Sequence, residues 1–374
     1  MSIPIIDSHI HLFAASHLDT LAWHSPSNPL GSQHSVAEYR QAASSVHTSC
    51  STNASTYLRG FIFLETDRIS SLSPENWSHA LDEVSFLTRI AKGEPLAGEG
   101  HEAADSALCL AIVPWAPVPA GPAALQSYLK LVRERTGDDV WPKIRGVRYL
   151  VQDKPWGTML ENGLIEGLRW LGQQRLVFDL GVDARQGGLW QLEQAAEMLE
   201  RVYDGIEDDG KKLRVVINHL CKPNLRLPYS TPLIITNPIF LTWKRHITSL
   251  SRHPHTYMKL SGAFSELPTR YFPLPVPKST TTQSSSSSEE EIISSTATHI
   301  QPWTDVVFDC FGPARVLFGS DWPVCNVGGG GNRVAWRRWR EVVEVLLERR
   351  GLSVEGKGGV WGGVAGRVYG VDGV

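Results

Sequence analysis

The sequence predicts an α/β fold, a (β/α)8 barrel, and three observations carry that prediction. Eight short β-rich apolar runs recur along the chain with longer helical patterns between them. Several of these runs are apolar at consecutive rather than alternate positions, as in parallel strands covered on both faces. Polar residues capable of chemistry gather at the C-terminal ends of the runs, where a barrel of this type places its site. With 374 residues, 42% of them hydrophobic and 9% aromatic, the chain can bury one core of that size, so a single domain over 1–374 is expected.

The first run, PIIDSHI (4–10), leads into His11 and raises the question of what two imidazoles two residues apart are for. Alternate strand residues share a face, so His9 and His11 point into one space and make half of a divalent-metal site. Asp7 lies on the same side but deeper, where a supporting hydrogen bond is its expected role. The second run, LRGFIFLE (58–65), ends in Glu65, read either as a metal-site residue or as a strand-end ion pair. The third is ALCLAIVPW (107–115), and the fourth, KIRGVRYLV (143–151), leads through Arg148 to Gln152. After the fifth, LVFDLGV (176–182), the stretch GLWQLEQAAEMLERVY repeats Leu189, Leu192, Ala196, Leu199 and Tyr203 at helical spacing.

The sixth run, LRVVINH (213–219), ends in His219 with Lys222 just beyond, and the seventh, TYMKLSG (256–262), carries Lys259 and Ser261. Residues 278–299, rich in Ser and Thr with an acidic cluster, are expected to be a disordered insertion. The eighth run, RVLFGSD (315–321), ends in Asp321, followed by Trp322, which is read as a packing residue or a platform for a sugar ring. Gly328–Gly331 predicts a mobile loop at the barrel mouth. In VAWRRWREVVEVLLERR the positions Trp336, Trp339, Val343 and Leu346 or Leu347 form one stripe. That pattern predicts a barrel-covering helix with a solvated basic face rather than a nucleic-acid surface.

A formal charge of -3 and a pI near 6.5 give no electrostatic reason to expect nucleic acid or an anionic membrane. A small ligand fits better. Five scattered cysteines without a C-x-x-C argue against a disulfide framework and against a thiolate zinc cluster. With no signal-peptide pattern and no apolar run near the ~20 residues of a membrane span, a cytoplasmic protein is expected. No oligomeric state is read from the chain.

The motifs DSHIHLF, GVRYLVQD, NHLCKP, MKLSG and FGSDWPVC, in this order and at strand ends, resemble the amidohydrolase superfamily. The resemblance is to its amidohydrolase-2 branch of sugar-acid lactonases, the L-rhamnono- and L-fucono-lactonase-like enzymes, and runs from about Ile5 to about Tyr369. It implies a hydrolase of sugar-acid metabolism that opens a five- or six-membered lactone, such as L-rhamnono-1,4-lactone, with an activated water. The branch also holds a pyrone-dicarboxylate lactonase, and more distant relatives decarboxylate aromatic acids. A decarboxylase and a non-enzymatic barrel therefore stand as alternatives.

Residue by residue, the resemblance places the His-x-His pair on His9 and His11, the strand-six histidine on His219 and the strand-eight aspartate on Asp321. With Glu65 these form the candidate metal set. Many superfamily members have a bridging Lys or Glu after strand four and a further histidine after strand five. Here those strands end RYLVQ and FDLGV, so at most one zinc-like divalent metal is implied, and branch members that work without metal leave metal-free catalysis open. Asp321 is expected to be the general base, ionised at neutral pH, with His219 ligating metal or meeting the oxyanion. Arg148, Gln152, Lys222, Lys259 and Trp322 are the candidates for contact with the lactone.

Overall fold

The computed structural model describes residues 2–44, 56–227, 231–268 and 289–371. All eight runs become strands: β1 (Ile3–Ile10), β2 (Thr56–Leu64), β3 (Cys109–Val113), β4 (Gly146–Arg148), β5 (Val177–Leu180), β6 (Arg214–Ile217), β7 (Thr256–Leu260) and β8 (Val316–Phe318). They pair in chain order, all parallel, as one ladder β1-β2-β3 and another β4-β5-β6-β7-β8. Isolated bridges Ile112↔Ile144 and Trp115↔Arg148 join the ladders on one side, and Ile10↔Trp322 joins β1 to the end of β8 on the other. The sheet is thereby closed into a barrel.

One long helix follows each strand: Val36–Ala43, Ser78–Lys92, Gly121–Val140, Asn162–Gln173, Trp190–Tyr203, Pro238–Ser251, Glu289–Phe311 and Ala335–Arg349. Each lays an apolar stripe on the barrel. In Trp190–Tyr203 the buried residues include Leu192, Ala196 and Leu199, three of the five positions expected from spacing. In Ala335–Arg349, Trp336, Trp339, Val343, Leu346 and Leu347 are all buried.

The barrel interior holds an apolar layer of Ile6, Ile62, Ala111, Val113, Val177, Val216 and Leu317. Val364, Ala365, Val368 and Tyr369 of the C-terminal helix Val364–Tyr369 pack onto the same layer. That plug closes the N-terminal end, which leaves the opposite end of the strands for the site.

Two expectations change. Of the stretch expected to be disordered, 278–288 lies outside the described residues, whereas 289–299 is the first half of the helix Glu289–Phe311. Ile293, Ala297 and Ile300 recur at helical spacing and are buried, and Glu289 pairs with Arg338 at 2.8 Å. Composition dominated by Ser and Thr hid that stripe. In the Gly328–Gly331 loop only Gly329 is buried, its carbonyl accepting from Arg338 at 2.7 Å, while Gly328 and Gly330 are exposed. The basic residues of Ala335–Arg349 are not all solvated. Arg338 and Arg340 are buried, Arg338 against Glu289 and Arg340 within 3.3 Å of Thr56 Oγ1. Their aliphatic stems pack while their guanidinium groups find partners.

Candidate active site

Four of the residues marked at the strand ends meet at the mouth of the barrel. Two backbone hydrogen bonds across the β8/β1 seam bring the first three together: Asp321 N–H donates to the His9 carbonyl at 2.9 Å and His11 N–H to the Trp322 carbonyl at 2.8 Å. Gly319 permits this approach, since a Cβ there would come within 2.9 Å of the His9 Cβ. The fourth residue, His219, enters from the end of β6 on an unusual turn.

In that turn His219, Leu220, Cys221 and Lys222 have φ of 55°, 53°, 61° and 43°, and Asp321 has 60°. Left-handed backbone at L-residues costs about 1–2 kcal/mol each, so such a run persists only where other contacts determine it. Those contacts are visible. Trp243 Nε1 donates to the Leu220 carbonyl at 3.1 Å, and the amides of Ala184 and Arg185 donate to the carbonyls of Cys221 and Lys222, each at 3.1 Å. Gly262, at φ 67°, leaves room for the imidazole: a Cβ there would lie 2.4 Å from His219 Nδ1. The neighbouring Ser261 hydroxyl sits 2.8 Å from the same nitrogen.

The result is a carboxylate ringed by imidazoles. Asp321 Oδ1 lies 3.5 Å from His9 Nε2, 3.8 Å from His11 Nε2 and 3.7 Å from His219 Nε2. His9 Nε2 and His11 Nε2 are 3.1 Å apart. Burial, aided by the Lys259 cation beside His9 and the Lys222 cation near His219, holds His9 and His219 far below the usual imidazole range. Burial likewise brings His11 down to about 3. All three rings are therefore neutral. Burial pushes Asp321 up to about 7 against the pull of Lys222 and Arg148, so at neutral pH it is poised between its two forms rather than fully ionised as expected from the sequence.

By position, three members of this set can reach one divalent metal. His9, His219 and Asp321 offer ligand atoms all within 4.8 Å of one another. His11 lies beside this trio, its Nε2 within reach of His9 Nε2 and Asp321 Oδ1. Neutral imidazoles and a carboxylate are zinc-type ligands.

Around the cluster opens a cavity of about 330 Å³, lined among others by Phe13, Trp23, Asn28, Thr66, Asp67 and Gln152. Arg148 and Lys222, both expected to touch substrate, line it too. Glu65, read either as a metal ligand or as a strand-end ion pair, takes the second role: it faces Arg148 Nε at 3.2 Å, and its Oε2 accepts from the Asp67 amide at 2.6 Å. Burial raises Glu65 to about 8 against the attraction of that guanidinium. Arg148 Nη1 is buried and has no hydrogen-bond partner.

One further expectation is corrected and one open reading is decided. Lys259 is not at the cavity: fully buried beneath His9, it is ion-paired to Asp179 and its Nζ lies 3.3 Å from His9 Nδ1. Trp322 is also fully buried, donating from Nε1 to Asn332 Oδ1 at 2.7 Å, so it packs and does not face a ligand. Asp7 has the supporting role expected of it, accepting from Tyr39 at 3.0 Å, the Ser320 amide at 2.7 Å and Trp336 Nε1 at 2.8 Å. The sequence reading missed Asp179, Asp67 and Trp23. For Asp179 a signal existed: one acid inside an otherwise apolar strand must be paired when buried.

Comparison with known proteins gives the family. The amidohydrolase family model matches residues 111–371. An L-rhamnono-gamma-lactonase of Scheffersomyces stipitis is 32% identical over 353 residues, covering 93% of this chain and 93% of that protein. The chain belongs to the amidohydrolase family. Within that family, an L-fucono-1,5-lactonase of Burkholderia multivorans is 27% identical over 290 residues, covering 77% of this chain and 76% of that protein. A crystal structure of an amidohydrolase from Burkholderia multivorans with bound zinc aligns with a TM-score of 0.65 at 23% identity, covering 98% of this chain and 99% of that one. This second amidohydrolase supports the barrel fold.

Proposed function

We propose that this amidohydrolase is a lactone hydrolase acting on a neutral sugar-acid lactone, such as L-rhamnono-1,4-lactone or a similar aldonolactone. The observation that carries the reading is Asp321, a carboxylate ringed by three neutral imidazoles at the base of a cavity that Arg148 and Lys222 also line. Arg148 faces Glu65, and Lys222 Nζ lies 3.8 Å from Asp183 Oδ2. Glu65, Asp67 and Asp321 also line the cavity. With Arg148 Nη1 lacking a hydrogen-bond partner, the cavity presents a guanidinium donor to an incoming oxygen. It also offers Asn28, Thr66 and Gln152 to hydroxyl groups and the Trp23 and Phe13 rings to an apolar sugar face. The lactonase relatives support the same substrate class.

In the proposed reaction Asp321 takes a proton from a water as the water oxygen bonds to the lactone carbonyl carbon. Arg148 Nη1 and the His219 edge of the cluster meet the charge that develops on the carbonyl oxygen. When the ring C–O bond breaks, Asp321 returns its proton to the departing oxygen, giving a hydroxy acid. A pKa near 7 suits a group that must accept and then donate. A divalent metal held by His9, His219 and Asp321, with His11 adjacent, would supply Lewis acidity to the carbonyl or the water when bound. A cytoplasmic setting belongs to the same proposal, supported by unpaired thiols at the four described cysteines, with Cys50 outside the described residues. No helix among the described residues is long and apolar enough to cross a membrane.

A pH-indicator assay with a panel of aldonolactones and carboxylated aromatics tests the proposal. Acid release from the aldonolactones alone is expected. Carbon dioxide from the aromatic acids, or turnover of neither class, defeats it.

A further inference from the structure

A buried polar column runs up the barrel axis into the site. Tyr369, from the helix that plugs the N-terminal end, donates to Asp179 Oδ2 at 2.6 Å. Asp179 Oδ1 is ion-paired with Lys259, and both side chains are wholly excluded from solvent. Lys259 Nζ then reaches His9 Nδ1 at 3.3 Å. This column lies below the cavity, and no step of the proposed hydrolysis uses it.

Its direction fixes proton positions. An ammonium can only donate, so the Lys259 contact makes His9 Nδ1 an acceptor and puts the ring proton on Nε2. From there His9 can donate to His11 Nε2 at 3.1 Å, with Asp321 Oδ1 at 3.5 Å. His11 is arranged to receive it. Its Nδ1 faces the Leu64 carbonyl at 3.1 Å and the Glu65 carbonyl at 3.0 Å, so Nδ1 carries the His11 proton and Nε2 keeps a lone pair. Donors and acceptors thus run in one sense from Lys259 through His9 and His11 to the β2 carbonyls.

A zinc-type metal needs a lone pair on each ligating nitrogen, with the other ring nitrogen donating to an acceptor beneath it. His11 meets this requirement. His219, beside a Ser261 hydroxyl that can donate or accept, can meet it. His9 does not, because a cation stands where an acceptor belongs.

We propose that Lys259 is a positioning residue that holds His9 in its Nε2–H form, making His9 a hydrogen-bond donor within the cluster and weakening the site's hold on a divalent metal. The inference concerns the site of the proposed lactonase but not its substrate.

The test reads the proton directly, in chelator-treated protein labelled with 15N at histidine, with His9 assigned by comparison with His9→Gln. Long-range 1H–15N correlation is expected to show the His9 proton on Nε2. A proton on Nδ1 in the wild-type protein overturns the inference whatever the activity, so it can fail while the lactonase reading stands. Lys259→Met combined with Asp179→Asn removes both buried charges together and leaves Tyr369 a partner. In that variant the His9 proton is expected to move toward Nδ1, and zinc affinity, measured by competition with a chromogenic chelator, to rise by roughly 10-fold or more. Unchanged or weaker zinc binding in the folded variant refutes the inference, and if the variant does not fold, the wild-type spectrum decides alone.

Discussion

Asp7 and Asp321 are two buried aspartates on either side of one seam, and they do opposite work. Burial raises both carboxyls above the usual range. Asp7 accepts three hydrogen bonds, from a helix tyrosine, a helix tryptophan and the backbone just before Asp321. Its bonding capacity is spent on holding β1, β8 and two covering helices in place. Asp321 instead faces three neutral imidazoles at 3.5–3.8 Å and lines the cavity. A buried carboxylate saturated by fixed donors is structure, whereas one left facing a cavity among neutral bases is available for proton transfer.

The largest effect that could break this contrast is on turnover by Asp321→Asn. It is expected to lower kcat by about 10³- to 10⁴-fold, with the melting temperature unchanged or raised, because a desolvated carboxyl is replaced by an amide of the same shape. Near-normal hydrolysis by that variant would remove Asp321 as the base. Asp7→Ala should do the reverse. It orphans the Tyr39, Trp336 and Ser320 donors and should cost about 3 kcal/mol of stability, read by denaturant unfolding, with a smaller effect on kcat than Asp321→Asn. If Asp7→Ala proves as stable as the parent, the seam is not held as described.

Arg148→Met should lower kcat/KM of the lactone by about 10- to 100-fold, the scale of one hydrogen bond to a charged group. An unchanged value would free Arg148 from the oxyanion role. The pH profile sharpens the contrast further. The proposed base must be deprotonated and burial favours its protonated form, so kcat/KM of the metal-free protein should rise with pH and level off, with its limb near 7 rather than at the ~4 of an ordinary aspartate. A flat profile from pH 5 to 8 contradicts this. The smallest effect is a displacement of that limb. The Lys222 cation lowers the Asp321 pKa, so Lys222→Met should move the limb to higher pH, and movement to lower pH would show that the cation acts elsewhere.

Much of the fold is legible because a parallel barrel repeats one local rule. Each strand is a short apolar run covered on both faces, and each helix needs a stripe, so eight runs and the Trp336–Leu347 stripe can be read without long-range information. The rule fails where composition masks a stripe, as in 289–299, and where a contact partner lies far away in the chain, as for Arg338 and Glu289. The site divides in the same way. His9, His11, His219 and Asp321 could be named because strand ends converge in a barrel, whereas Lys259 was misplaced and Glu65 and Trp322 were left open because a position on a strand does not say how deep its side chain sits.

The sequence by itself determined the strand order, the helical stripes and the residue types that reach the barrel mouth, since strand alternation and helix periodicity are properties of the local chain. The tertiary structure decided which of those residues share the cavity and which lie beneath it. It turned His219 on a left-handed run, set Lys259 against Asp179 rather than a ligand, and gave Asp321 its unsaturated surroundings. Depth, desolvation and hydrogen-bond direction depend on what distant segments bring to the same point in space, and no local spacing encodes them.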